Sequence, residues 1–564
     1  MRARGPARGR HAPAVLTALA LALTGPAAAT ASAAPDPPTG RLLVTLKASA
    51  PGVIAHAASA GLRATGARVA GPVDPRLRLL TVRPAAGAAP RATAAALRAL
   101  PGVQSVEVEH RAQLRVVPDD PAFTTPETAP GTPPGTVVEW WAAAEDLPQL
   151  WDLVPNSEGA TVAVIDTGAD ASHPELASRI HALVDKDTTA GAPGPGTDQV
   201  GHGTHVASLA CADAGNGVGL AGAGHDCGLI IVKSDLSDSS IAESIMAAVD
   251  AGADAINMSF GTDGSRPAAS AIVHAVDYAV SKGVVLVAAA ADDPVQEQGD
   301  PSNVLQPTGS GSDMTQGLGL SVTSANHAGS RSPFAGFGSQ ISLAAYGSFD
   351  QSAGPRGIFG AFPANSTELE RPTIFGAGCN CRTTFGGDAR YAYIQGTSMA
   401  APMVTAVAAD LRHLNPDLSA TDIVRILKQT ARRPAGTGWT PDLGWGILDG
   451  GAAAALTRVA DRRPPSTRLT ASAKVVRGRW VTLRVRSRDT APAYCVASGV
   501  RKVEIWRASN GGKAHRIATT TKAAYRVRVR RGSRYRFWSI GVDRAGNRES
   551  TPLHADTVVT ATVH

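Results

Sequence analysis

Three short strings in this 564-residue chain carry side chains that could act together on an electrophilic carbonyl. Val162-Ala163-Val164-Ile165-Asp166-Thr167-Gly168 runs an apolar strand into a carboxylate and a turn. Gly201-His202-Gly203-Thr204-His205 sets an imidazole at a glycine-flanked helix start, and Gly396-Thr397-Ser398-Met399-Ala400 sets a hydroxyl at another. A serine hydroxyl is a poor nucleophile at neutral pH and needs an adjacent base; an imidazole serves once a carboxylate fixes its tautomer and supports its protonated form. Asp166, His202 and Ser398 suit those roles by type. A serine at a helix N-terminus also presents its backbone N–H where the helix dipole favours negative charge, as an oxyanion requires. Each string alone has an ordinary structural reading, a strand-end cap or a packing side chain. Their combination points to catalysis. His205, one turn beyond His202, is expected to pack rather than react.

The elements that must hold these groups can be traced from residue 160 onward. Apolar strands at 161–165, 228–233, 255–258 and 284–288 alternate with helix-like stretches near 205–210, 241–251 and 269–282, and a last long helix begins beside Ser398. Continuous Val/Ile/Leu strands between helices predict an α/β fold, a parallel sheet covered on both faces. Such sheets place functional groups at the carboxyl ends of their strands.

With its chemical residues in the order Asp, His, Ser, the region from about 140 to 458 resembles the subtilisin-like serine proteases. Ile256-Asn257-Met258-Ser259-Phe260-Gly261, Phe334-Ala335-Gly336-Phe337-Gly338 and Leu443-Gly444-Trp445-Gly446 extend the match. The resemblance implies an endopeptidase acting on polypeptide substrates. The substrate would add as an extended strand along Ser259, Phe260 and Gly261, with Ala289 beside the pocket for the side chain before the scissile bond. It also implies a structural Ca²⁺ held by Glu175, Asn216 and the carbonyls of Val218 and Leu220, oxygen ligands that suit a hard cation; no other cofactor is expected. One position departs from the family: where relatives carry an asparagine whose amide donates to the oxyanion, this chain has Asp292. An ionised carboxylate cannot donate, so Asp292 must be protonated, act through water or turn away. A disabled, peptide-holding scaffold is the competing reading.

The remaining sequence divides by texture. Residues 1–33 read as a signal peptide, with Arg2, Arg4, Arg8 and Arg10 before a short apolar run and Ala31-Ser32-Ala33, so export without a membrane span is expected. Residues 36–116 form a small α+β segment that resembles the inhibitor-type propeptide, clearest over 94–109, and would act as an intramolecular inhibitor. A Pro-rich linker at 117–139 leads to the peptidase domain, 140–460. Period-two alternation over 466–564 predicts an immunoglobulin- or fibronectin-like β-sandwich. Charge splits along the same borders: residues 462–564 hold 23 Lys+Arg against 5 Asp+Glu, whereas 117–461 hold 16 against 38. The basic segment would bind an anionic cell-envelope polymer or dock on the acidic domain; no motif indicates nucleic acid, and a monomer is expected. Of five cysteines, Cys211 and Cys227 bracket a Gly-rich loop that a bridge would restrain, Cys379 and Cys381 could pair only in a tight ring, and the connectivity stays open.

Overall fold

The computed structural model describes residues 38–47, 67–71, 79–85, 90–100, 102–110, 118–154, 157–350, 352–372, 378–434, 436, 438–492 and 495–563. The expected signal peptide lies outside them. The chain divides into two compact units, one up to Gln113 and one from Leu114 onward.

In the first unit, β1 (Pro38–Leu46), β2 (Arg68–Gly71), β3 (Leu79–Arg83) and β4 (Val103–His110) form an antiparallel sheet in the order β2-β3-β1-β4. Leu42, Val44 and Leu46 alternate onto its buried face, as period two requires. Helix α1 (Pro90–Arg98) covers that face with Ala94 and Leu97. Arg98, in its last turn, donates to Val106 O at 2.6 Å and complements the negative helix end.

The second unit is built on a seven-stranded sheet of β5 (Thr161–Asp166), β6 (Ile180–Lys186), β7 (Gly228–Ser234), β8 (Ala255–Met258), β9 (Val285–Ala289), β10 (Leu320–Ala325) and β11 (Leu343–Tyr346). Their order is β11-β10-β9-β8-β5-β7-β6, and every ladder is parallel. Alternation sorts the side chains between two cores. Val162, Val164, Leu229 and Ile231 pack with α2 (His202–Cys211) and α5 (Thr397–Leu414); Ala163, Ile165, Ile230 and Val232 pack with α3 (Asp238–Asp250) and α4 (Ser270–Ser281). Each branched side chain so buried contributes about 1.5–3 kcal/mol. This is the doubly covered α/β sheet that the uninterrupted apolar strands demand.

Several features differ from the sequence expectations. Residues 118–139, expected as a linker, are packed: Asp120, Ala122 and Glu139 are buried, and Ala122 N donates to Gly219 O at 2.8 Å. A small antiparallel sheet of β12 (Ile358–Ala361), β13 (Arg382–Phe385) and β14 (Asp388–Ile394) was not foreseen. The cysteines agree with the sequence reading: Cys211 and Cys227 are bridged across the loop between α2 and β7, Cys379 and Cys381 are bridged, and Cys495 is free, with burial pushing its thiol up to about 11.

At the C-terminal end, β15 (Ser466–Ala471), β17 (Trp480–Arg488) and β20 (Ala524–Arg528) form one sheet. A second contains β16 (Val475–Val476), β18 (Val500–Ser509), β19 (His515–Thr520), β21 (Ser533–Asp543) and β22 (Thr557–Ala561). Leu469, Leu483, Val527, Ile505, Phe537 and Val559 from the two sheets make one buried cluster. Among the described residues, no helix is long and apolar enough to cross a membrane.

Candidate active site

Asp166 ends β5, Ser259 directly follows β8, and Ala289 ends β9, so three neighbouring strands deliver their groups to one edge of the sheet. His202 and Ser398 arrive there from the first turns of α2 and α5. The edge is the carboxyl edge that parallel sheets use for function.

His202 Nδ1 lies 2.8 Å from Asp166 Oδ1 and 3.1 Å from Oδ2. Asp166 is almost wholly buried, whereas the His202 ring remains partly open to solvent. Burial opposes the charged imidazole, but the charge and hydrogen bond of Asp166, with Asp198 and Asp292 behind it, outweigh that effect and raise its pKa. The close approach depends on glycine. A Cβ on Gly203 would lie 2.1 Å from Gly168 O and 3.1 Å from Asp166 Oδ1, and Gly201 adopts a φ of 93° with Phe362 against it.

Asp198 was not foreseen, yet it organises this corner. Its Oδ1 accepts from Gly201 N at 2.8 Å and from Thr167 Oγ1 at 2.9 Å; its Oδ2 accepts from Thr204 N and Oγ1 at 2.8 and 2.7 Å. These bonds satisfy donors at the start of α2 and fix the turn carrying His202. The readable signal was an Asp shortly before a helix start. Burial raises the Asp198 pKa against those same hydrogen bonds. His205 is buried, with Nε2 3.1 Å from Ile358 O; burial drives its pKa down to about 3, so it stays neutral and serves packing.

Ser398 lies at the second residue of α5. Its hydroxyl donates to Ser259 O at 3.0 Å rather than to His202, while Ser259 Oγ donates to Ser398 O at 2.8 Å. Phe260, Gly261, Ala289, Asp292 and Ser398 line one cleft of about 420 Å³, which Asp263, Asp293 and Glu297 also border. Asp292 Oδ1 accepts from Thr397 N at 2.7 Å and Thr397 Oγ1 at 2.9 Å. The residue as a whole is exposed, but its carboxyl is crowded into the cleft. That burial raises its pKa, against the Thr397 hydrogen bonds and the nearby His202.

The proposed calcium ligands meet one another in a different way. Glu175 is buried; its Oε1 accepts from Tyr391 Oη at 2.9 Å and Leu220 N at 3.1 Å, and its Oε2 from Asn216 Nδ2 at 3.3 Å. Asn216 Oδ1 is taken by Val218 N. A Cβ on Gly219 would fall 1.6 Å from Glu175 Oε1, so the loop backbone is closed onto the carboxyl. Burial pushes Glu175 up to about 8. Donors on Leu220, Asn216 and Tyr391 face this carboxyl, where a cation would need oxygen ligands turned towards it. This arrangement speaks against the calcium expected at Glu175, Asn216, Val218 and Leu220.

A parallel α/β sheet with an aspartate-bound histidine and a helix-start serine at its carboxyl edge defines a triad-type hydrolase scaffold. The subtilase family model matches residues 157–446. The chain is 30% identical over 330 residues to thermitase of Thermoactinomyces vulgaris, covering 57% of this chain and 94% of that protein. It is 30% identical over 298 residues to the thermophilic serine proteinase of Bacillus sp. (strain AK1), covering 51% of this chain and 60% of that one. It is 28% identical over 403 residues to an extracellular protease of Xanthomonas campestris, covering 63% of this chain and 60% of that protein. The chain thus spans less than two thirds of the Bacillus and Xanthomonas proteins. This chain belongs to the subtilase family of serine endopeptidases.

Proposed function

We propose that residues 140–460 form a serine endopeptidase in which Ser398 Oγ attacks the scissile carbonyl, His202 Nε2 takes its proton, and Asp166 holds His202 Nδ1–H. The hydrogen bond of His202 to Asp166 at 2.8 Å is the observation that carries this reading, because it orients the imidazole and stabilises its charged form. Attack requires the Ser398 hydroxyl to rotate about its Cα–Cβ bond from Ser259 O towards His202. His202 passes that proton to the departing amine as the acyl-enzyme forms; water, deprotonated by His202, then attacks the ester, and the proton returns to Ser398 Oγ as the acid leaves. The substrate backbone would run beside Ser259, Phe260 and Gly261, and its leading side chain would enter the cleft next to Ala289. Ser398 N–H and a neutral Asp292 would donate to the oxyanion.

In this account residues 36–116 are an inhibitory propeptide, removed by the enzyme itself after export, and residues 466–564 are a β-sandwich appended to the catalytic unit. Asp292, bonded to Thr397, favours one second reading: a scaffold that holds peptides without cleaving them. The intact mass of the exported product distinguishes the two. Wild type should shed the residues before about 112–140 while Ser398→Ala retains them; identical unprocessed masses would favour the scaffold.

A further inference from the structure

The outward face of the sheet β15-β17-β20 carries one sign of charge. Cross-strand pairing sets Ser466, Arg468 and Thr470 opposite Arg488, Arg486 and Arg484, and sets Trp480, Thr482 and Arg484 opposite Arg528, Arg526 and Ala524. Directly opposed residues share a face, so Arg468, Arg484, Arg486, Arg488, Arg526 and Arg528 all project from the same side. All six are exposed. That face bears no carboxylate, and among the described residues none of the six forms an ion pair.

Such a face is unfavourable by itself. Arg468 lies directly opposite Arg486, an arrangement of like charge that destabilises a strand pair, and a face serving only solubility would mix signs. The acidic part of the same unit does not neutralise it. Contacts with it include Arg462 to Asp422, Arg463 to Asp417 and Asn547 to Asp461 O, and no ion pair among the described residues involves the six arginines. The expectation that the basic segment docks its charge on the acidic domain therefore does not apply to these six residues.

We propose that this face binds a linear anionic glycopolymer, one whose phosphate or carboxylate groups repeat along a sugar or polyol backbone. Alternate arginines on β17 recur about every 7 Å, giving a row of planar donors suited to two-point contact with each acidic group. Trp480 adds the second component: it is 49% exposed on the same face, with the Arg526 guanidinium 5.0 Å from its ring centroid. An indole beside a guanidinium receives the C–H face of a sugar ring and its acidic substituent together. Single-stranded nucleic acid is the poorer occupant, because its binding surfaces stack successive bases on several aromatic rings and this face has one. The site stands apart from the cleft at Ser398 and does not depend on whether Ser398 is a nucleophile.

The test uses the full chain carrying Ser398→Ala, which keeps it intact, with labelled polygalacturonate, a glycerol-phosphate polymer, neutral dextran and single-stranded DNA as probes. Anisotropy should show binding to one or both anionic glycopolymers, weakened by salt, and none to dextran. Arg468→Ser/Arg486→Ser/Arg488→Ser should raise the Kd at least tenfold. Lys282→Ser/Lys513→Ser/Arg534→Ser, which removes the same charge elsewhere, should change it less than twofold. Whichever anionic glycopolymer binds more tightly identifies the acidic group preferred. Equal losses in the two triple variants, tighter binding of DNA than of either glycopolymer, or no binding at low salt would each overturn the proposal.

Discussion

Asp292 accepts hydrogen bonds from both the N–H and the hydroxyl of Thr397, the residue immediately before Ser398. The positive end of α5 is where an oxyanion formed at Ser398 would be stabilised, and Asp292 brings a carboxyl to that place. Ionised, it repels the developing charge; protonated, it becomes a donor.

The pH profile follows from that choice. Activity should rise as His202 loses its proton and should be held back wherever Asp292 is ionised. Asp292→Asn should remove that penalty and increase kcat above neutral pH on the order of a hundredfold, the worth of one oxyanion donor. It should also move the acidic limb lower, since one of the charges raising the His202 pKa is gone. Profiles of kcat against pH that superimpose for the two proteins would refute the role given to Asp292.

The cleft beside Ser398 should select basic side chains. Asp263, Asp292, Asp293 and Glu297 line it, and no Lys or Arg does. Peptides with Arg or Lys before the scissile bond should have a kcat/KM at least tenfold above those with Leu or Phe, and the margin should shrink with salt. Asp293→Asn/Glu297→Gln should remove most of it. A preference for apolar residues in wild type would count against the reading.

Glu175 should make stability fall with rising pH. Its folded pKa of about 8 lies above the ordinary 4.5, so the folded chain holds this proton more tightly than the unfolded chain. The stabilisation is complete below about 4.5 and is lost as pH climbs towards 8. Glu175→Gln should therefore flatten the decline in Tm between those values, and EGTA should leave the wild-type Tm unchanged. A Tm lowered by EGTA and restored by calcium would reinstate the cation.

Removing Asp198 should affect both fold and turnover. Asp198→Ala strands the donors at Gly201, Thr204 and Thr167, at a cost of about 1–2 kcal/mol. The freed turn carries His202, so kcat should drop at least tenfold with KM little changed, while Asp198→Asn should recover part of it. Denaturant titration and steady-state kinetics on the same preparations would show whether the two losses occur together.

The sequence made the catalytic corner legible because its groups sit at element ends. An apolar run stopping at Asp166, and glycines before His202 and Ser398, mark a strand end and two helix starts without any tertiary information. The contacts of Asp198 and of Asp292 with Thr397 were not legible, since each depends on how a loop folds back over a neighbouring helix. Glu175 was read as a ligand because its position matches one in relatives. Only the structure shows that Tyr391, distant in sequence, and the Leu220 N–H occupy its oxygens. Residues 118–139 looked like a linker from their prolines, yet they are held by backbone hydrogen bonds that composition does not reveal. The alternation over 481–486 and 525–530 was plain in sequence, but opposing Arg468 to Arg486 required the register.

The most direct test of the account is covalent labelling of the mature protein with a fluorophosphonate, read by peptide mass spectrometry. The account predicts a single adduct on Ser398 that forms in wild type and is lost in His202→Ala. No adduct on Ser398 in wild type, or one that forms equally well without His202, would contradict it.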